Sequence, residues 1–218
     1  MPRIKMPSNS PGLDMTPMVD LAFLLVTFFM LTASVRVNEP VVVDMPSSIS
    51  EKLLPDNVMM ISIDATGKPF YNINDPAIRV KVLEDMGKQY KVTFDDNDKK
   101  RFGAMTSFGI PMASMKDYIK MDDVARSKVK SPGIPIDTTG VKNELGDWIA
   151  FGRREAAIKA KEEKDRKEKN GLSFKYEPLR FAIKADGKAN YMAVKQVIDV
   201  FKKQDIYRFN LITNLEQE

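Results

Sequence analysis

The chain has 218 residues, with 34 Lys and Arg against 30 Asp and Glu, and it contains no Cys and no His. That double absence excludes disulfides, thiolate nucleophiles, Cys/His zinc sites, His-ligated haem and a Ser-His-Asp triad built from this chain. A formal charge of +4 is too mild for a nucleic-acid footprint, and any proton carried here must ride on a carboxylate, Lys or Tyr.

The apolar residues are unevenly spread. Residues 21–31 read Leu-Ala-Phe-Leu-Leu-Val-Thr-Phe-Phe-Met-Leu without a charge. A hydrocarbon core about 30 Å thick takes roughly 20 helical residues, so residues 15–35 are long enough to span it. Arg3 and Lys5 lie ahead of the span, which makes residues 1–14 a cytoplasmic tail and puts all that follows on the far side. Two other readings compete. A cleavable signal peptide would end near Leu31-Thr32-Ala33, but the region ahead of the apolar run is long and Asp20 sits where a signal is uncharged. A buried helix of a soluble domain fits an apolar run this short, but not its position near the terminus with polar flanks.

Asp20 needs a reason to be there. An acidic side chain at the centre of a membrane helix costs roughly 2.5–3.5 kcal/mol on insertion scales, and less toward the helix end. Thr16, Asp20, Thr27 and Ser34, spaced by four and seven, fall within roughly 40° on a helix and form one polar stripe. Such a stripe suits a protein partner or a hydrated pathway. Thr27 and Ser34 can instead satisfy themselves on their own backbone; Asp20 cannot. Removal from water favours its neutral form, which makes Asp20 a candidate proton carrier. Pro17 fixes the starting geometry of the helix without losing an internal hydrogen bond.

Beyond the span, residues 36–56 read as a linker with one short strand at 41–45. Residues 57–64 alternate Val58, Met60 and Ser62 against a more apolar Met59, Ile61 and Ile63, the pattern of a strand. A turn at 65–68 leads to a return strand at 69–73. An extra region, about 74–177, is mostly helical, with helices over 78–90, 112–130 and 143–170. Asp95-Asp96-Asn97-Asp98 lacks the Gly and bidentate Glu of a calcium loop, so it reads as a solvated turn. Trp148 reads as a core anchor, and the mixed charges of 159–170 as an exposed helix end. The last segment gives a strand at 179–184, a turn at Ala185-Asp186-Gly187-Lys188, an amphipathic helix at 191–203 and a strand at 206–213. Asp186 most simply shapes its turn. The fold class is α+β, a small sheet with helices on one face.

Three stretches resemble the ExbD/TolR family of proton-motive-force transducers. They are Asp14-Met15-Thr16-Pro17-Met18-Val19-Asp20 with Leu24-Leu25 and Phe28-Phe29-Met30; Val41-Val42-Val43-Asp44-Met45-Pro46; and Phe181-Ala182-Ile183-Lys184-Ala185-Asp186-Gly187, followed by Tyr191, the helix to Lys203, and Leu211-Ile212-Thr213. The resemblance implies a single transmembrane helix followed by a periplasmic domain at 57–218, with Asp20 in the place of the essential protonatable aspartate. It also implies a homodimer inside an ExbB/TolQ-like ring in the bacterial inner membrane, in contact with lipid, and a TonB- or Tol-like periplasmic partner. Peptidoglycan is a further contact open to the outer domain. The departure from the family is the long middle region, where a short connection is usual. No cofactor, metal or enzymatic activity is expected. A membrane-anchored periplasmic binding module without proton coupling is the alternative. A secreted enzyme working with paired carboxylates finds no pair in this sequence.

Overall fold

The computed structural model describes residues 15–32, 47–48, 57–137, 143–171, 173, 177–212 and 214–215. The chain divides into two compact units, residues 1–37 and 38–218. The first contains one helix, α1 (Thr16–Thr32). It falls within the expected span of 15–35, whose last three residues lie outside the described ones.

The second unit is built on a hairpin. Strand β2 (Val58–Ile63) pairs antiparallel with β3 (Pro69–Ile73), with Ile61 opposite Tyr71. Asp64 holds the turn, its Oδ1 accepting from the backbone N–H of Thr66 at 2.9 Å and of Lys68 at 2.7 Å. Gly67 sits there at φ +84°, where a side chain would be strained. Helix α2 (Pro76–Tyr90) follows, with Asp75 Oδ1 accepting from Ala77 and Ile78 and Pro76 placed where no N–H is needed.

Helices α3 (Asp96–Ala104), α4 (Met112–Lys120) and α5 (Asp123–Lys128) precede α6 (Glu144–Lys169), whose first turn is capped by Asn143 accepting from Gly146 at 3.1 Å. Strand β4 (Arg180–Ala185), helix α7 (Tyr191–Lys203) and strand β5 (Asn210–Ile212) complete the unit. A separate parallel pair joins β1 (Ser47–Ser48) to β6 (Asn214–Leu215).

The main sheet has the order β3-β2-β4-β5, with β2, β4 and β5 mutually parallel. Met59, Ile61 and Ile63 share one face with Tyr71, Ile73 and Ile183, all of them buried. Helix α7 closes part of this face with Val197, Val200 and Phe201, the last with its ring 5.8 Å from Phe181. Helix α6 closes the rest through an aromatic cluster. Trp148 lies 4.8 Å from Phe108, 5.7 Å from Tyr71 and 6.1 Å from Phe102 between ring centroids. Gly152 lets α6 come this close, because a Cβ there would lie 2.4 Å from both Met59 Cε and Tyr71 Oη.

The middle region also covers the β3 edge. Tyr71 and Phe108 exchange both backbone hydrogen bonds, at 2.8 and 3.1 Å, and Ile134 N donates to Pro69 O at 3.0 Å. Unpaired edge groups that would invite another strand are thereby filled. Arg79, buried, ties β3 to the end of α3 by donating from Nε to Ile73 O at 3.2 Å and from Nη1 to Gly103 O at 2.9 Å.

Several expectations need correction. The Asp95–Asp98 stretch is a helix start rather than a solvated turn: Asp98 is buried and its Oδ2 accepts from Asp95 N at 3.3 Å. Carboxylates in a first helical turn satisfy free N–H groups and favour the dipole. The single helix expected at 112–130 is two, because Met121 is extended at φ −65°, ψ 150°. The last strand begins at Asn210, since Ile206 turns into the core. Strand β2 is covered on both faces, with Val58 and Ser62 buried as well as Met59, Ile61 and Ile63, as its central place in the sheet requires. The strand expected at 41–45 lies outside the described residues.

Two outcomes follow from this packing. Gly152→Ala inserts a methyl into filled space and should cost about 1–3 kcal/mol, read by urea unfolding with the fluorescence of Trp148, the chain's sole tryptophan. Burial alone would raise the Asp75 carboxyl, but hydrogen bonds from Lys159, Ile78 and Ala77 and the Lys159 charge hold it below the ordinary 3.8. A lowered folded-state value means its stabilisation is complete above the unfolded value and is lost as pH falls through the folded one. Asp75→Asn should therefore flatten the fall in melting temperature between about pH 5 and about pH 2 relative to the native chain.

Candidate functional site

Helix α1 begins where the backbone first closes a turn: Met18 N and Val19 N both donate to Met15 O at 3.1 Å. Pro17, second in the helix, falls where a missing N–H costs nothing. Thr16, Asp20 and Thr27 all lie on this helix, at the spacing that gathers them on one side. Ser34, the fourth member of the expected stripe, lies outside the described residues.

Thr27 Oγ1 donates to Leu24 O at 2.9 Å, and Thr32 Oγ1 to Phe28 O at 2.8 Å. Both hydroxyls are thus satisfied by their own helix. Asp20 is different: it is exposed, and among the described residues it has neither a hydrogen-bond nor an ion-pair partner. A lone carboxylate without an internal partner is satisfied only by something outside its helix.

The rest of α1 is apolar and uncovered. No residue of it is buried, and Leu21, Phe23, Leu24, Leu25, Phe28 and Phe29 are each between 58% and 69% exposed. The helix has 17 residues, about 26 Å at 1.5 Å per residue. Among the described residues, no helix is long and apolar enough to cross a membrane.

In the second unit, Asp186 has the structural role its turn implied. Its Oδ1 accepts from Lys188 N at 2.8 Å and its carbonyl from Ala189 N at 3.0 Å, while its own N–H donates to Ile63 O at 3.0 Å. Trp148 is the core anchor, fully buried. Among the described residues no group of three or more acidic, His or Cys side chains is placed to hold a metal. Sequence reasoning missed a cleft bordered by Arg153, Arg180, Tyr207 and Arg208. Its residues are far apart in the chain, and only the sheet register and the return of α6 assemble them.

A helix exposing apolar side chains and one carboxylate, followed by an α+β unit with a mixed four-stranded sheet, defines a two-unit protein. The chain belongs to the family described as "Biopolymer transport protein ExbD/TolR", which it matches over residues 6–216, middle region included. The family consists of transport proteins. No curated protein and no solved structure matches the chain significantly.

Because Thr27 is satisfied by its own backbone, Thr27→Val should complement a deletion strain as well as the native gene, measured by growth under conditions that demand the energised system. A growth defect would mean the hydroxyl serves a partner after all.

Proposed function

We propose that this chain is a single-pass inner-membrane subunit of a proton-driven motor, in which Asp20 carries the proton. The observation that supports this most directly is the unpartnered Asp20 on a helix whose other side chains are nearly all apolar and exposed, in a member of the ExbD/TolR family.

The physical cycle is short. Within hydrocarbon or against protein the carboxyl is held neutral, since desolvation penalises the charge. On reaching water or a basic group of a ring subunit it ionises. Uptake from one side and release on the other moves one charge through the membrane potential, about 2.3 kcal/mol per 100 mV. In this proposal α1 pairs with a second copy inside an ExbB/TolQ-like ring. The outer unit passes the motion to a TonB- or Tol-like periplasmic partner.

Asp20→Asn keeps size and hydrogen bonding but removes titration. It should reach the membrane at native levels, by quantitative immunoblot of fractions, yet fail to restore energy-dependent uptake or envelope integrity to a deletion strain. Full restoration would remove the proton role and leave a tethered binding module.

A further inference from the structure

A cleft of about 870 Å³ opens where the parallel strands of the sheet begin. Its walls come from Arg153 on α6, the residues leading into β4, and the segment between α7 and β5. The floor is apolar, with Leu179, Phe181 and Phe209 partly buried and Ile206 buried. The rim is cationic and aromatic. Arg153, Arg180 and Arg208 are exposed there, Tyr207 is 70% exposed, and Asp205 is the one acid among the lining residues described.

These arginines contribute little to the fold. Arg153 donates one N–H to Gln204 O. The side chains of Arg180 and Arg208 make no hydrogen bond or ion pair among the described residues, so gathering them adds repulsion without an internal return. Asp205 is engaged by the Tyr207 hydroxyl, which donates to its Oδ1 at 3.3 Å. Arginine with tyrosine around an apolar floor is the composition of a protein-binding centre. The guanidinium fork matches a carboxylate with two parallel hydrogen bonds.

We propose that this cleft docks an acidic, extended peptide segment of a periplasmic partner protein. Concavity favours a peptide over a bilayer, since a flat lipid surface meets the rim without reaching Leu179 and Phe181 below it. The volume lies in the upper part of the roughly 300–1,000 Å³ range of ligand pockets, which suits several residues of chain rather than one small anion. One wall is α6, so the site depends on the long middle region. The inference rests on the proposed function only in taking the partner to be a periplasmic protein, and does not involve Asp20.

The test uses the purified full chain in mild detergent, without a proton gradient, and fluorescence anisotropy of a labelled peptide alternating Glu with Leu and Pro. Binding should be saturable, weaken with added salt, and fall by roughly tenfold or more when Gln replaces Glu in the peptide. Arg180→Gln combined with Arg208→Gln alters two exposed side chains without internal contacts, so the fold survives, checked by circular dichroism. That variant should lose roughly tenfold in affinity, whereas Asp20→Asn should bind as the native chain does. Equal affinity for the Glu and Gln peptides would overturn the proposal, as would native-like binding by the double variant. So would displacement of the peptide by inorganic phosphate at matched charge, which would mark a small-anion site. Uptake assays on Asp20→Asn report separately on the proton role, so either reading can fail alone.

Discussion

The backbone pairing of β2 on both sides at once is the constraint from which the second unit grows. Asn74 N, just past β3, donates to Val58 O at 3.2 Å, and Arg180 N, at the start of β4, donates to Asn57 O at 3.0 Å. Asn57 Nδ2 adds a bond to Glu177 O at 3.0 Å. The middle region therefore leaves and re-enters the sheet at the two flanks of one strand end. Neighbouring strands are about 4.8 Å apart, so its two ends lie roughly 10 Å from each other. A connection of almost any length can join two such points without changing the sheet's register, and the loop-closure cost grows only slowly with length.

Given fixed ends, the region must still be bound to the sheet or it would swing as a separate body. The Tyr71–Phe102–Phe108–Trp148 cluster does this, drawing one ring from β3, one from α3, one from the loop after α3 and one from α6. The Tyr71–Phe108 backbone bridge and the Arg79 bonds to Ile73 O and Gly103 O reinforce the same seam. At the far side, Lys159 of α6 pairs with Asp75, which also caps α2. Aromatic rings, a buried guanidinium and a cap that doubles as an ion pair make the middle region part of the same core. A force applied to one of these elements is shared by the others through contacts that do not slide, because packed cores resist compression.

What the sequence disclosed follows from how local each signal is. The β2–β3 hairpin and helices α2, α6 and α7 were legible because their apolar spacing lies within the segments themselves, whereas their caps at Asp75, Asn143 and Asn190 emerge only from the structure. The break between α4 and α5 was hidden: Met115, Ile119 and Val124 keep a helical rhythm across Met121, and only the backbone there shows the interruption. Asp95–Asp98 misled because acidic runs are usually solvated; the Phe102 that buries this helix lies six residues past its first acid and was not part of the signal. The Arg153–Arg180–Arg208 rim was illegible for a different reason. Charged residues carry no periodic signature, and their meeting depends on a sheet register that the sequence does not state.

The energetics of α1 show why a carboxylate is tolerable there. Eleven large apolar residues of this helix, Met18, Val19, Leu21, Phe23, Leu24, Leu25, Val26, Phe28, Phe29, Met30 and Leu31, are exposed in the isolated chain. Full burial of such side chains contributes roughly 1.5–3 kcal/mol each, so a lipid or protein surround gains on the order of 15–30 kcal/mol. Against that, one acid at the centre of a membrane helix costs roughly 2.5–3.5 kcal/mol on insertion scales, and less toward the helix end. The apolar gain exceeds the penalty several-fold, so one carboxylate would not keep such a helix out of an apolar surround. The residual deficit is concentrated at one side chain, Asp20, and an external polar group removes it.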